Sequence, residues 1–177
     1  MYLSPKTTSR LTIRPLTEND IPAWAAFFVN NPGLSFFNLD NELGPEEKAR
    51  HWIKRQLWRY ENNQFGLMAL AETKTGELIG QCGLLVQEVN GQQEIEIGYH
   101  VLPKYWGMGF APEAAQFFKQ YAFGNNLAGS VISIIHTENT NSQRVAAKNG
   151  MARTVQTEFQ QKPVFIYRVQ KPAAAID

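Results

Sequence analysis

The sequence predicts an α+β fold, a mixed, mostly antiparallel central sheet of seven strands flanked by about four helices, within one domain spanning residues 1–177. Three observations lead there. Segments with period-two apolar patterns are interleaved with segments of helical period, in the order β-α-α-β-β-β-α-β-α-β-β. An Asn90-Gly91 pair between two strand-like runs marks a tight hairpin, so part of the sheet is antiparallel. The chain has 177 residues, 44% apolar and 19% charged, which suits one domain with a filled core and excludes a disordered chain.

Residues 10–16 alternate, with Leu11 and Ile13 on one face, and read as a strand. Thr17 is placed to cap a helix, with Asp20 at its positive end and Ile21, Trp24, Ala25 and Phe28 at helical spacing. Asn31-Pro32-Gly33 ends it, and residues 34–44 show no period. Pro45 opens a second helix, with Ala49, Trp52, Ile53, Leu57 and Tyr60 as its apolar stripe. Its Lys48, Arg50, Lys54, Arg55 and Arg59 read either as a solvated face or as a surface that meets an anionic substrate or cofactor. Residues 65–72, 78–88 and 93–101 form an antiparallel meander. A glycine-rich turn over 103–110 then opens a helix from about 112 to 123. Residues 131–135 are an apolar run, read as a strand buried on both faces. Residues 142–149 form a short helix ended by Gly150, and 154–159 and 164–169 are the last strands. The polar stretch 4–9 and the Ala-rich 172–177 read as ragged ends.

Charge and cysteine content narrow the function classes. Seventeen Lys and Arg face sixteen Asp and Glu, and a net charge of +1 gives no general attraction to nucleic acid or an anionic membrane. A lone cysteine, Cys82, makes neither an internal disulfide nor a thiolate metal cluster, which fits a reducing compartment. No apolar run approaches the roughly 18 residues of a membrane helix, and the first ten residues lack the apolar stretch of a secretory signal. The expectation is a soluble cytoplasmic protein, monomer or homodimer, with no metal and with neither nucleic acid nor membrane as partner.

The turn carries the chemistry. In Trp106-Gly107-Met108-Gly109-Phe110-Ala111-Pro112-Glu113, two glycines sit at a strand-to-helix junction. Glycine admits a ligand close to the backbone, and a helix start presents unpaired N–H groups at the positive end of its dipole. Such a turn suits a phosphate or diphosphate, with the amides of Gly107, Met108, Gly109, Phe110 and Ala111 as donors, since Pro112 has none. Glu113 is expected to point away from the anion. No Gly-Lys-Ser/Thr follows, so it is not a P-loop, and antiparallel strands before it make a poor dinucleotide fingerprint. By itself the turn also admits a reading without any ligand.

Ile97-Gly98-Tyr99-His100-Val101-Leu102-Pro103, continued through that turn, resembles the acyl-CoA-binding segment of the GNAT N-acetyltransferase superfamily. Asn139-Thr140-Asn141-Ser142 with Val145 to Met151 resembles its second signature, and Leu11 to Asp20 the start of the ribosomal-protein N-terminal acetyltransferase branch. The resemblance spans about residues 10–169. It implies that the turn holds the CoA diphosphate, that Tyr99, His100 and Val101 line the pantetheine arm, and that Asn139 and Ser142 lie near the cofactor. The family's Arg/Gln-x-x-Gly-x-Gly/Ala falls on Trp106, Gly109 and Ala111, so Trp106 departs from it. A Tyr common in the family's last helix is replaced by Ala146.

What the resemblance implies for function is direct transfer of acetyl from acetyl-CoA to a primary amine, a protein N-terminus or a small molecule, with the Val101 amide receiving the carbonyl oxygen. Glu96 and Glu158 are the candidate bases and Ser142 the candidate group at the thiolate. His100 reads as a wall of the site, and a water chain is the other route for the proton. Cys82, an alternative nucleophile, reads as buried and structural; His51 and His136 read as structural. Phe36, Phe37 and Trp52 are candidates for the acceptor side, with core packing the simpler reading. Because of Ala146, a competing function is an acyl-CoA-binding module with little turnover; a weaker one is a nucleotide-binding domain.

Overall fold

The computed structural model describes residues 1–173, so the last residues of the Ala-rich tail lie outside the described residues. In chain order the elements are β1 (Lys6–Thr7), β2 (Leu11–Arg14), α1 (Ile21–Ala25), α2 (Pro45–Glu61), β3 (Phe65–Glu72), β4 (Leu78–Val89) and β5 (Gln92–Val101). After them come α3 (Phe110–Gly124), β6 (Ser130–His136), α4 (Thr140–Lys148), β7 (Ala152–Phe159) and β8 (Lys162–Gln170). The strands form one eight-stranded sheet in the order β1-β2-β3-β4-β5-β6-β8-β7. Each neighbouring pair is antiparallel except β5 and β6, which are parallel and share the single register Glu96 opposite Ile132.

Both faces of the centre are covered, so β3 and β4 read as near-continuous apolar runs. Under α3, Phe110, Ala114, Ala115, Phe118 and Ala122 pack on Leu11, Met68, Leu70, Ile79, Cys82 and Ile97. On the other face, Trp24, Phe27 and Phe28 meet Ala49 and Ile53 of α2 above Ala69, Leu78 and Leu102. A buried Gln56 ties α2 to the sheet by accepting from the Leu67 amide at 2.9 Å. Asn90 and Gly91 take φ of 51° and 75°, the left-handed pair that a two-residue hairpin turn requires.

Several local readings are corrected. The eighth strand lies in the stretch read as ragged: Lys6 and Thr7 pair with Ile13 and Thr12, too short a strand for any period to show. Ahead of it, the Tyr2 hydroxyl bridges the next pair of strands, donating to the Gly66 carbonyl at 2.6 Å and accepting from the Leu84 amide at 2.8 Å. Thr17 is the cap residue, as expected, at the turn Glu18–Asp20 that precedes α1, and Asp20 reaches back to accept from the Thr17 amide at 2.8 Å while pairing with Arg14 at 2.6 Å. The first helical segment is also broken, with 3-10 turns over Glu18–Asp20 and Ala26–Phe28 flanking α1. Helix α3 begins two residues earlier than expected, which puts Pro112 in the first turn, where an N–H has no intrahelical partner to lose. Ser133 interrupts the apolar run of β6, and its hydroxyl donates to the Ile97 carbonyl at 2.8 Å.

Replacing Tyr2 by Phe keeps the ring packing and strips the bridge from a buried amide and carbonyl. The expected loss is about 1–3 kcal/mol, read from the urea unfolding midpoint; an unchanged midpoint contradicts the structural role of Tyr2.

Candidate active site

Strand β5 sets the direction of the main-chain groups. In an antiparallel ladder, pairs that exchange hydrogen bonds alternate with pairs that do not. The Leu102 amide donates to the Ile79 carbonyl at 2.9 Å, which fixes the phase of the β4–β5 ladder. Gly80–Val101, Cys82–Tyr99 and Leu84–Ile97 are therefore the pairs without mutual bonds. Val101, Tyr99 and Ile97 turn their N–H and C=O groups away from β4, toward β6. Ile97 finds Ser133 there, but beyond Glu96 and Ile132 the parallel pair makes no further register, so Tyr99 and Val101 face a gap.

The gap runs into the glycine turn. Gly107 and Gly109 take φ of 79° and 82°, conformations that favour glycine. Among the described residues, no hydrogen bond takes up the amides of Gly107, Gly109, Phe110 or Ala111. The Met108 amide differs from its neighbours, donating to the Tyr105 carbonyl at 3.4 Å, and its side chain points to solvent. Trp106 folds back and donates from Nε1 to the Val101 carbonyl at 2.7 Å, so Val101 offers the gap its amide alone. Glu113 points away, as expected. Its carboxylate accepts from the Thr8 and Ser9 hydroxyls, the Arg10 amide and Arg10 Nε, at 2.6–2.9 Å. Burial pushes this carboxyl up, but those hydrogen bonds hold it below its ordinary value. Arg10 also donates to the Met108 carbonyl at 2.9 Å and lies over the Phe110 ring at 4.4 Å. The N-terminal segment thus braces the turn from behind, a contact that the sequence pattern did not signal.

Two cavities of about 420 and 600 Å³ meet at this gap. The smaller is lined by Val101, Trp106, Gly107, Gly109, Phe110 and Ala111, and the larger by Glu96. Tyr99, His100, Asn139 and Ser142 line both. All the expected site residues except Met108 and Glu158 thus come together. Glu158 is exposed on β7 opposite Pro163 and lines neither cavity; strand alternation gives the cavity wall to Phe159.

Glu96 is 8% exposed at the seam, where Gln87 Nε2 donates to it at 2.7 Å and the Ile134 amide at 3.4 Å. Burial raises its pKa above the ordinary carboxylate range, against those hydrogen bonds and the nearby Arg59. His100 sits among Trp52, Phe37 and Phe27, with ring centroids 5.0, 5.4 and 5.9 Å away. Burial pushes its pKa down to about 4, so the ring is neutral at neutral pH. Asn139 caps α4 by accepting from the Ser142 amide at 3.1 Å, so Ser142 is not the cap. The Tyr99 hydroxyl donates to the Ser142 carbonyl at 2.8 Å. Cys82 is fully buried, and burial pushes its thiol up, which fits an inert core residue. His51 and His136 are not core residues: both line the larger cavity, and Phe36 stacks on His136 at 4.9 Å. Phe37 and Trp52 do pack against the core, yet they also form cavity wall.

Residues 35–38 close over the cleft. Asn38 donates to the Gln160 carbonyl at 2.6 Å and Lys162 to the Ser35 carbonyl at 3.1 Å. Phe36 and Phe37 of this strap line both cavities, and no periodicity announced it.

The family model described as an acetyltransferase (GNAT) domain matches residues 10–152. The uncharacterized Bacillus subtilis (strain 168) protein YkkB is 31% identical over 163 residues, covering 90% of this chain and 92% of its own. The acetyltransferase from Agrobacterium tumefaciens str. C58 superposes with a TM-score of 0.78 at 24% identity, covering 94% of each chain. RimL, a ribosomal L7/L12 alpha-N-protein acetyltransferase solved in complex with coenzyme A, gives 0.74 at 16% identity, covering 94% of this chain and 98% of RimL. By its sequence match over most of its length and by its fold, the chain belongs to the GNAT acetyltransferase family.

Proposed function

We propose that the protein is an N-acetyltransferase that moves the acetyl group of acetyl-CoA directly to a primary amine. The observation that carries this reading is one continuous groove. It starts at four unpaired amides of a helix start, passes the inward-facing amides of Val101 and Tyr99, and ends at buried Glu96. The turn amides fit a diphosphate, and the strand amides fit an arm that itself carries amide groups. The complex of RimL with coenzyme A supports the choice of ligand for this fold.

When bound, acetyl-CoA supplies an acetyl thioester, whose carbonyl carbon bonds to the amine nitrogen as its carbon–sulfur bond breaks. The amides of Tyr99 and Val101 are the donors available to the carbonyl oxygen. Glu96 takes the proton that the amine loses and passes it to solvent. A carboxylate held above its ordinary pKa is a stronger base than an exposed one. The Ser142 hydroxyl, without a partner of its own among the described residues, donates to the departing thiolate in place of the Tyr that Ala146 replaces, and solvent returns its proton. Neutral His100 and its aromatic neighbours keep the acceptor side apolar. The binding-only reading has Ala146 in its favour; in favour of turnover stands Glu96, an ionisable group in the cavity wall whose burial raises its pKa.

Gly109→Val forces a β-branched residue to a φ of 82° and sets its Cβ 3.3 Å from Arg10. Strain of about 1–2 kcal/mol, added to blocked approach, should raise the acetyl-CoA Kd at least tenfold by calorimetry; an unchanged Kd contradicts the placement.

Glu96→Gln should lower kcat by about a hundred- to ten-thousand-fold with acetyl-CoA affinity retained. The wild-type kcat/KM should fall as pH drops through the raised pKa of Glu96, and the variant should lose that limb. Full activity in the variant, measured by thiol release, removes Glu96 as base.

Stability should move the other way. A folded-state pKa raised above its ordinary 4.5 favours the native state fully below that value, and this contribution fades as pH rises through the raised pKa. The Tm of Glu96→Gln relative to wild type should therefore climb as pH rises above the ordinary 4.5 and level off beyond the raised pKa; a flat difference contradicts the buried-carboxylate account.

A further inference from the structure

One face of α2 looks into the larger cavity and carries Lys48, Trp52, Arg55 and Arg59, spaced four, seven and eleven residues along the helix. No ion pair engages Lys48, Arg55 or Arg59 among the described residues. Arg59 is half-buried, and its Nη1 is fully buried with no hydrogen-bond partner. One edge of the guanidinium is thus desolvated without a partner, which is costly, and a planar fork of this kind matches a carboxylate or a phosphate. Across the cavity Lys162 adds a fourth cation, and the carboxylates among the lining residues are Asp40 and Glu96. A chain of net charge +1 has therefore gathered a local positive excess at this one wall.

The excess does not serve the glycine turn. Arg59 lies beside Gly66, opposite Leu84, whereas the turn follows Val101, opposite Gly80 at the other end of β4. Arg59 lines the cavity that holds Glu96 and is absent from the lining of the turn-side cavity. It is close enough to Glu96 for each charge to act on the other, yet the two form no ion pair. The space between them suits a molecule with a cationic end and an anionic end. Phe36, Phe37 and Trp52 offer an apolar wall for its body, and a volume of about 600 Å³ under the strap fits a small molecule.

We propose that the acceptor is a small primary amine carrying its own oxyanion, a carboxylate or a phosphate, seated on Arg59 and Arg55 with the amine turned to Glu96. This rests on the acetyltransferase reading and names its substrate class. The oxyanion pairs the otherwise orphaned guanidinium and fixes the amine's position. It also disfavours polyamines, whose second cation would face Arg55 and Arg59.

The test is a matched acceptor panel at saturating acetyl-CoA, read by thiol release. One set is phenylalanine, phenylalaninamide, phenethylamine and a Phe-initiated peptide amide; the other is phosphoethanolamine and ethanolamine. Removing the oxyanion should lower kcat/KM at least about tenfold in one set, and the responding set tells carboxylate from phosphate. In Arg59→Gln, and more weakly in Arg55→Gln because Arg55 is exposed, that preference should collapse through the acceptor KM, with the acetyl-CoA KM unchanged. Amides, peptides and uncharged amines that match or beat their acids in both sets overturn the proposal, as does a preference intact in both variants. If no amine releases thiol, the transferase reading fails separately. Trp52 fluorescence then decides the anion site, with N-acetylphenylalanine and phosphoethanolamine against N-acetylphenylalaninamide and ethanolamine. Tighter binding of either anion, lost in Arg59→Gln, supports it, and equal binding in both pairs overturns it.

Discussion

A parallel pair of strands that holds only the register Glu96 opposite Ile132 leaves main-chain groups of β5 facing open space. Backbone N–H groups are strong donors and are rarely left unpaired when buried. In this fold the pairing is deferred: the antiparallel β4–β5 ladder directs the Val101 and Tyr99 amides outward, and the parting of β6 leaves them without a partner strand. The rest of the site takes its place from that parting. Ser133 closes the seam on one side, Glu96 sits at its apex, and α4 is held over it by the Tyr99 hydroxyl and the Asn139 cap.

The surrounding structure keeps the gap rigid. Trp106 hooks the turn back onto Val101, and Arg10 with Glu113 fixes its outer side from the N-terminal segment. A turn braced on both sides loses little conformational freedom when it receives a ligand, which favours binding. At the seam, burial raises the proton affinity of Glu96 against its hydrogen bonds from Gln87 and Ile134 and the nearby Arg59.

Much of this was legible in the residues. Period-two runs, the Asn90-Gly91 turn and the spacing of glycines 107 and 109 gave the element order and the glycine turn that opens α3, because each reflects local backbone physics. The two signatures around Tyr99–Ala111 and Asn139–Ser142 brought separate segments to one gap. What escaped detection depends on contacts distant in sequence. Tyr2, Arg10 and the strap act through partners 64 to 127 residues away, and no periodicity encodes those. Glu158 went astray for a related reason: a strand carboxylate faces a cleft or solvent according to register, and register is set by the partner strand. The basic face of α2 was visible as charge, but only the packed helix shows which of its cations turn inward.

The account stands on main-chain amides waiting for a ligand between β5 and the start of α3. Amide NMR shifts of the labelled protein on titration with coenzyme A test this most directly. The account predicts large, saturable shifts at Tyr99, Val101, Gly107, Gly109, Phe110 and Ala111, with β7 unmoved. Saturation that leaves those six resonances in place, or moves only resonances remote from the seam, would contradict it.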